Sequence, residues 1–535
     1  MEQALGSNRL IAAEIVSATI IEVAAPSPTP SVWSRLRIAL PIVLVIGCVF
    51  AGLGMRTFAY ARNASLWIDE AMLALNVIHR TPAELLEPLD LNQGAPVGYL
   101  LLVKGTIQAF GSSEYALRLP SFLASLVGFG LFVPLAYRLL STSAARIAVC
   151  LFALSPVLAG YAAEFKQYEL DATLAIAIVA AGRSVWLGTA GRWRFVGLAA
   201  LGMGAVWFSH PVTFVLGGVG LAALADALVR RDRAAFVTRL AVVLAWAGSF
   251  ATCYLLFTHK LGMNAYLLEY WDGKFMPMPP YKPGHFAWIV NHFFEFLGKP
   301  GGLDSAGMGV TGFGAVAFLV GGLALVRVNW RLFVVLVAPL ALALLASGVK
   351  KYPFAGRLML YAVPAMILLV AYGVDLIANR LNDVVRGAGF IVIAVLFVAP
   401  VAECRWLLSH PLHSEEPRTA LAYTHDHWQA GDRMYVFYGA AAAFAYYQPQ
   451  YPFPADDVRF GAETRGKDSR AMRDDLLTFQ GDKRVWVVIA HSQRDEEAAL
   501  TAYLDGMGQR EERIKYPDAV VLRYDLSAPP GPRTP

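Results

Sequence analysis

The feature that most constrains this chain is a succession of apolar runs of roughly 17–23 residues with almost no charge, the length that crosses the hydrocarbon core of a bilayer. About eleven such runs are legible: 38–59, 120–140, 147–163, 172–187, 195–209, 212–229, 236–257, 307–326, 332–347, 358–377 and 388–408. Composition agrees: 57% of the 535 residues are hydrophobic and 16% charged, against about 25% charged in an ordinary soluble chain. The expected fold class is an α-helical polytopic membrane protein of about eleven transmembrane helices with a small C-terminal α/β domain.

Orientation follows from the arginines. With the N-terminus inside, the cytoplasmic loops hold Arg138/Arg146, Arg183/Arg192/Arg194, Arg230/Arg231/Arg233, Arg327/Arg331 and Arg380/Arg386, each obeying the positive-inside rule. This requires the short apolar stretch 96–110, which contains Lys104, to lie at the membrane surface rather than cross. The net charge of +5 is accounted for by these loops and gives no sign of a nucleic-acid partner. The 4 cysteines lie in or beside the apolar runs without ligand spacing and read as small buried hydrophobes.

The expected organisation is a cytoplasmic tail 1–37, a membrane module 38–409 with a first outer loop 62–119, an outer-face α/β domain 410–526 and a disordered tail 527–535. No cleavable signal peptide is evident in 1–30. In the C-terminal region 433–438, 484–490 and 519–525 read as strands and 494–504 as a helix. There is no internal repeat of the kind from which many transporters are built.

Charges directly beside spans are costly unless they are paired or functional. Asp69 and Glu70, just after the first span, have the chemistry of a general base drawing a proton from an attacking hydroxyl; the alternative is that Asp69 caps a helix over 70–78 and both acids are simply solvated. Arg118, at the mouth of the second span, offers a planar fork for a phosphate or an anchor in the headgroups. The turn Glu164-Phe165-Lys166-Gln167-Tyr168-Glu169-Leu170-Asp171 is more polar than a turn between spans needs. The segment Lys350-Lys351-Tyr352-Pro353-Phe354-Ala355-Gly356-Arg357 places cations on the outer face, against the inside rule, so they need an anionic partner: a lipid-linked phosphate, or nearby acids such as Glu164, Glu169 and Asp171. The loop 270–281, with Trp271 and Phe275, suits either a sugar platform or an interfacial aromatic belt. His425 and His427 read as surface residues and His210 as structural.

In order and spacing, Leu66-Trp67-Ile68-Asp69-Glu70-Ala71, Pro96 with Tyr99-Leu100-Leu101, Phe110-Gly111-Ser112-Ser113-Glu114, Arg118-Leu119-Pro120-Ser121, Ser155-Pro156, Lys166-Gln167-Tyr168 with Asp171, and Pro353 to Arg357 with Pro364 resemble the family 39 glycosyltransferases. These are the dolichyl-phosphate-mannose–protein mannosyltransferase-like proteins, which include the aminoarabinose transferases. The resemblance runs from about position 66 to 372. It implies the C-type membrane glycosyltransferase fold, an inverting mechanism and a polyprenyl-phosphate-linked sugar donor. It also implies catalysis by Asp69 and donor-phosphate contacts from Arg118, Lys166 and Arg357; by their own charge and place, Glu70 is a second expected catalytic acid and Lys350 and Lys351 further expected phosphate contacts. Gln93, Tyr168, Asp171 and Tyr352 are the expected substrate-binding residues. Asn92-Gln93-Gly94-Ala95-Pro96 departs from the Lys-Pro-Pro element of the aminoarabinose transferases, which tells against lipid A as the acceptor. The acceptor class (protein, lipid or glycan) is left open, as is a divalent metal beside Asp69. A plasma (inner) membrane location follows for a bacterial member. A flippase of lipid-linked sugars and a lipid-pyrophosphate glycan ligase or polymerase are the competing readings.

Overall fold

The computed structural model describes residues 32–186, 191–304, 310–411, 415–463, 470–493 and 495–527, with the side chains of 32–38 and 184–186 excepted. Residues 1–31 of the expected tail 1–37 and residues 528–535 of the expected tail 527–535 lie outside them. The chain forms two compact units, 1–47 and 48–535. The first holds the opening half of the helix Val32–Ala61; everything below concerns the second.

Among the described residues, eight helices are long and apolar enough to cross a membrane: Ala39–Ala61, Glu114–Leu139, Val212–Val229, Arg233–Leu261, Thr311–Val328, Trp330–Gly348, Gly356–Val384 and Ala388–Ser409. The protein is a multi-pass, mainly helical membrane protein. The other expected spans appear as Tyr168–Trp186, Arg192–Phe208 and a broken element. In the last, Thr142–Ala153 stops short of Pro156 and a separate turn, Pro156–Tyr161, follows. Proline disfavours helix at the residue before it and lacks the amide that would continue the hydrogen-bond ladder. The helices Thr311–Val328 and Val363–Val384 approach through Gly321 and Gly373, where an added Cβ would collide with the Leu369 and Ala317 carbonyls of the facing helix.

The stretch expected at the membrane surface is a 14-residue helix, Val97–Phe110. Its Lys104 ammonium donates to the Val77 and Ile78 carbonyls at 2.9 and 3.1 Å. Those are unsatisfied carbonyls at the C-terminus of Ile68–His79, where a cation is favoured. Lys104 thus caps the neighbouring helix. The loop expected over 259–305 contains a further helix, Pro283–Gly298.

The C-terminal region forms a five-stranded sheet of order β2-β1-β3-β5-β4, with β1 Arg433–Val436, β2 Val458–Phe460, β3 Val485–Ala490, β4 Gln509–Tyr516 and β5 Ala519–Asp525. β1 runs parallel to β2 and β3, while β5 is antiparallel to β3 and β4. Both faces are covered. Met434, Val436, Trp486 and Val488 pack with Phe444 and Tyr447 and with Leu73, Ala74 and Val77 of the helix Ile68–His79 in one core. Tyr435, Val485, Val487 and Ile489 pack with Met472, Leu476, Leu500 and Leu504 on the other side. The sheet therefore shares its core with the helix that carries Asp69.

Candidate active site

Asp69 lies in the first turn of Ile68–His79, a helix whose own N-cap residue, Trp67, offers no side-chain cap. The cap comes from far along the chain. The Ile68 amide donates to Glu415 Oε2 at 3.0 Å, the Leu66 amide donates to the Tyr447 hydroxyl at 2.8 Å, and Ser65 donates to Glu416 Oε2 at 2.8 Å. Glu415 Oε1 also meets His491 Nδ1 at 2.8 Å. An acid at a helix N-terminus satisfies an orphan amide and the helix dipole together. Replacing Glu415 with Ala is expected to destabilise the fold by about 0.5–2 kcal/mol, which an unfolding titration checks.

The Asp69 side chain enters a cavity of about 750 Å³. Gln93, Lys166, Tyr168, Lys350, Lys351, Tyr352 and Arg357 line the same cavity. The Arg357 guanidinium is in direct hydrogen-bond contact with Asp69 Oδ2 and lies over the Trp67 ring, 5.1 Å from its centroid, and the Tyr168 ring, 5.9 Å away. Lys166 donates to Gln93 Oε1 at 3.1 Å. Its backbone is fixed by Ser121, whose hydroxyl donates to the Lys166 carbonyl at 2.7 Å and meets the Tyr99 hydroxyl at 3.1 Å. Tyr352 donates to the Leu358 carbonyl at 2.6 Å, closing the turn before Arg357. Lys350 and Lys351 are exposed.

Three of the expected site residues lie elsewhere. Glu70 and Arg118 pair with each other, fully buried and outside the cavity lining. Arg118 Nε donates to Glu70 Oε1 at 3.0 Å and Arg118 Nη2 to Glu70 Oε2 at 2.6 Å. Arg118 also donates to the Ala64 and Ser65 carbonyls, and Glu70 accepts from the Phe165 amide. With its donors committed to this pair and these carbonyls, Arg118 does not face the cavity. Asp171 is buried against Ser209, turned into the helix packing rather than toward Asp69.

The charges define the chemistry. Burial pushes the Asp69 carboxyl up, but the Lys166 ammonium and then the Arg357 guanidinium outweigh it, and the net direction is down, so Asp69 is an ionised base at neutral pH. Burial lowers Lys166 to about 8, with Asp69 opposing that fall and Arg357 adding to it. Lys166 is thus a cation below that pH and a neutral amine above it. In the free protein, affinity for an anionic ligand is expected to fall as pH rises through about 8, because the lost proton removes the attraction. Lys166→Arg should remove the fall. Titrating inorganic phosphate into the two proteins at several pH values checks this.

The cavity also gathers residues that the sequence did not single out: Trp67, Tyr254 and Tyr266 from the membrane module, Tyr438, His491 and Gln493 from the sheet. The aromatic loop contributes Tyr270, Trp271 and Phe275 to the lining. Glu415, His491 and Asp518 bring one ligand atom each within 4.8 Å of one another. That grouping contains neither Asp69 nor Glu70, and its Glu415 is already engaged by Ile68 and His491.

No protein-family model matches the sequence, and no curated protein matches it significantly. Solved structures do match in fold. ArnT from Cupriavidus metallidurans bound to undecaprenyl phosphate superposes with a TM-score of 0.52 at 12% identity, covering 93% of this chain and 99% of that one. The same protein in the apo state gives 0.50 at 13%, covering 94% and 100%. The Archaeoglobus fulgidus oligosaccharyltransferase, in complex with Zn and sulfate, gives 0.50 at 12%, covering 90% of this chain and 73% of that one. The chain therefore has the C-type membrane glycosyltransferase fold, as the sequence led one to expect.

Proposed function

We propose that the protein is an inverting glycosyltransferase that moves a sugar from a polyprenyl-phosphate donor to an acceptor hydroxyl on the non-cytoplasmic side of the membrane. The observation that carries this reading is the meeting of Asp69, Lys166 and Arg357 in one cavity beside the apolar helices. One carboxylate and several cations are what a displacement at a phosphate-activated sugar requires. The shared fold with a protein solved with undecaprenyl phosphate supports the choice of donor.

In this reading the donor phosphate competes with Asp69 for Arg357 and approaches Lys166. Arg357 is held flat by Trp67 and Tyr168 for that exchange. Released from Arg357, Asp69 accepts the acceptor's hydroxyl proton as its oxygen attacks the anomeric carbon. The bond from that carbon to the phosphate oxygen breaks on the opposite face, and the carrier leaves as polyprenyl phosphate. The cations stabilise the charge that grows on the departing oxygen, each contributing about 2.7–4 kcal/mol in a site that excludes water. Glu70 and Arg118 hold the floor of the site rather than touch substrate.

The domain reading goes with this: a membrane module that carries donor and base, an outer-face α/β domain beside it, and a plasma-membrane location with the N-terminus inside. Membership of family 39 is the assignment the motifs favour. Protein in nanodiscs, given radiolabelled polyprenyl-phosphate sugars and envelope extract, should pass label from carrier to an acceptor. Carrier that keeps its label yet crosses the bilayer would move the protein to a flippase.

A further inference from the structure

The parallel part of the C-terminal sheet has the strand order β2-β1-β3. The chain passes from β1 to β2 on one side of β1, then over to β3 on the other. The first crossover, with Phe444 and Tyr447, packs on the face of Met434 and Val436. The second, with Met472 and Leu476, packs on the face of Tyr435 and Val487. Where successive crossovers leave on opposite faces, a crevice opens beyond the carboxyl ends of the strands, and ligands of open α/β sheets bind there.

In this protein the carboxyl ends face the cavity that holds Asp69. Tyr438 follows β1, Gly461 and Glu463 follow β2, and His491 and Gln493 follow β3; all of them line it. The two loops at the switch point are braced by one residue. Tyr438 donates its hydroxyl proton to Glu496 Oε1 at 2.7 Å, and the Gln493 amide donates to Glu496 Oε2 at 2.9 Å. The cavity is divided by charge. Among the described residues that line it, the lysines and the arginine come from the membrane module, whereas the sheet contributes a phenol, a carboxylate, an imidazole and an amide. Those four groups are of the kinds that exchange hydrogen bonds with hydroxyl groups.

The geometry points to a saccharide-acceptor subsite at the carboxyl ends of β1, β2 and β3, formed by Tyr438, Glu463, His491 and Gln493 and facing Asp69 across the cavity. Planar carboxylate, amide and imidazole groups each exchange hydrogen bonds with adjacent sugar hydroxyls. A serine or threonine side chain offers a single hydroxyl, whereas these groups can meet several hydroxyls at once. The inference rests on the transferase reading for its role, but the subsite is measurable without turnover.

The test is saturation-transfer NMR on full-length protein in nanodiscs, with polyprenyl phosphate present to occupy the donor side. The probes are maltose, mannobiose, lactose and chitobiose, and a serine- and threonine-containing peptide. At least one disaccharide should take up saturation from the wild type. Its binding should weaken roughly ten-fold in the Glu463→Ala/Gln493→Ala variant. Melting temperatures confirm that the variants are folded; if the double variant does not fold, the single Gln493→Ala variant replaces it, with the same loss expected. The subsite is overturned if no disaccharide binds, if the folded variant binds equally well, or if only the peptide binds and is lost. Disaccharide binding without sugar transfer from any carrier would sink the transferase reading and leave the subsite standing. Transfer to a sugar acceptor whose KM is unmoved by the variant would do the reverse.

Discussion

Asp69→Asn is expected to reduce sugar transfer by about 10²–10⁴-fold while leaving the protein folded and able to hold the carrier. The substitution keeps the side chain's shape and its hydrogen-bond acceptor toward Arg357, and removes only the basicity. Asp69 is partly exposed to the cavity, and its partner is drawn from a segment 288 residues away, so little of the fold depends on its charge. The loss should fall in kcat. The donor KM should stay level or improve, because Arg357 no longer pairs with a competing carboxylate. Kinetics with a fixed carrier, together with a melting curve, separate this outcome from misfolding. Activity close to wild type would remove Asp69 from the mechanism.

Arg118→Ala carries the largest effect on stability. Glu70 is fully buried and meets Arg118 through two parallel hydrogen bonds. Removing the cation leaves an uncompensated carboxylate in a low-dielectric interior, which costs about 3–5 kcal/mol. The pair also ties the Ala64 and Ser65 carbonyls to the Phe165 amide, so the turn that presents Lys166 should loosen with it. The companion variant Glu70→Gln/Arg118→Met exchanges the ion pair for neutral groups of similar volume and should recover most of the loss. Unfolding titrations of the three proteins form the comparison. A stable Arg118→Ala protein with a raised donor KM would instead make Arg118 a phosphate ligand.

These two residues mark where the sequence was legible and where it was not. Asp69 sits just beyond a span with cations expected on the same face, and the structure brings Asp69, Lys166 and Arg357 into one cavity from the helix Ile68–His79, a turn between spans and a late loop. Arg118 offered the same local evidence as Lys166. What separates them is the distance to an acid, and only the fold puts Glu70 beside Arg118. The break at Pro156 was written in the chain, but the apolar residues on both sides of it disguised one short helix and a turn as a span. β4, Gln509-Arg510-Glu511-Glu512-Arg513-Ile514-Lys515-Tyr516, went unread because an edge strand that shows most of its side chains to water lacks apolar alternation. The cap that Glu415 places on the Asp69 helix spans 347 residues, and no local pattern announces a contact of that range. The same holds for the sheet wall of the cavity, whose residues are ordinary loop polars until the strand order aligns them.

The central claim is that this cavity receives the phosphate of a lipid-linked sugar, and the most direct measurement is a cryo-electron microscopy structure with polyprenyl phosphate bound. The account predicts phosphate density about 3 Å from the Lys166 ammonium or the Arg357 guanidinium, with Arg357 drawn away from Asp69. Phosphate held instead in the separate groove lined by Arg138, Arg183 and Arg194, with the Asp69–Arg357 contact intact, would contradict it.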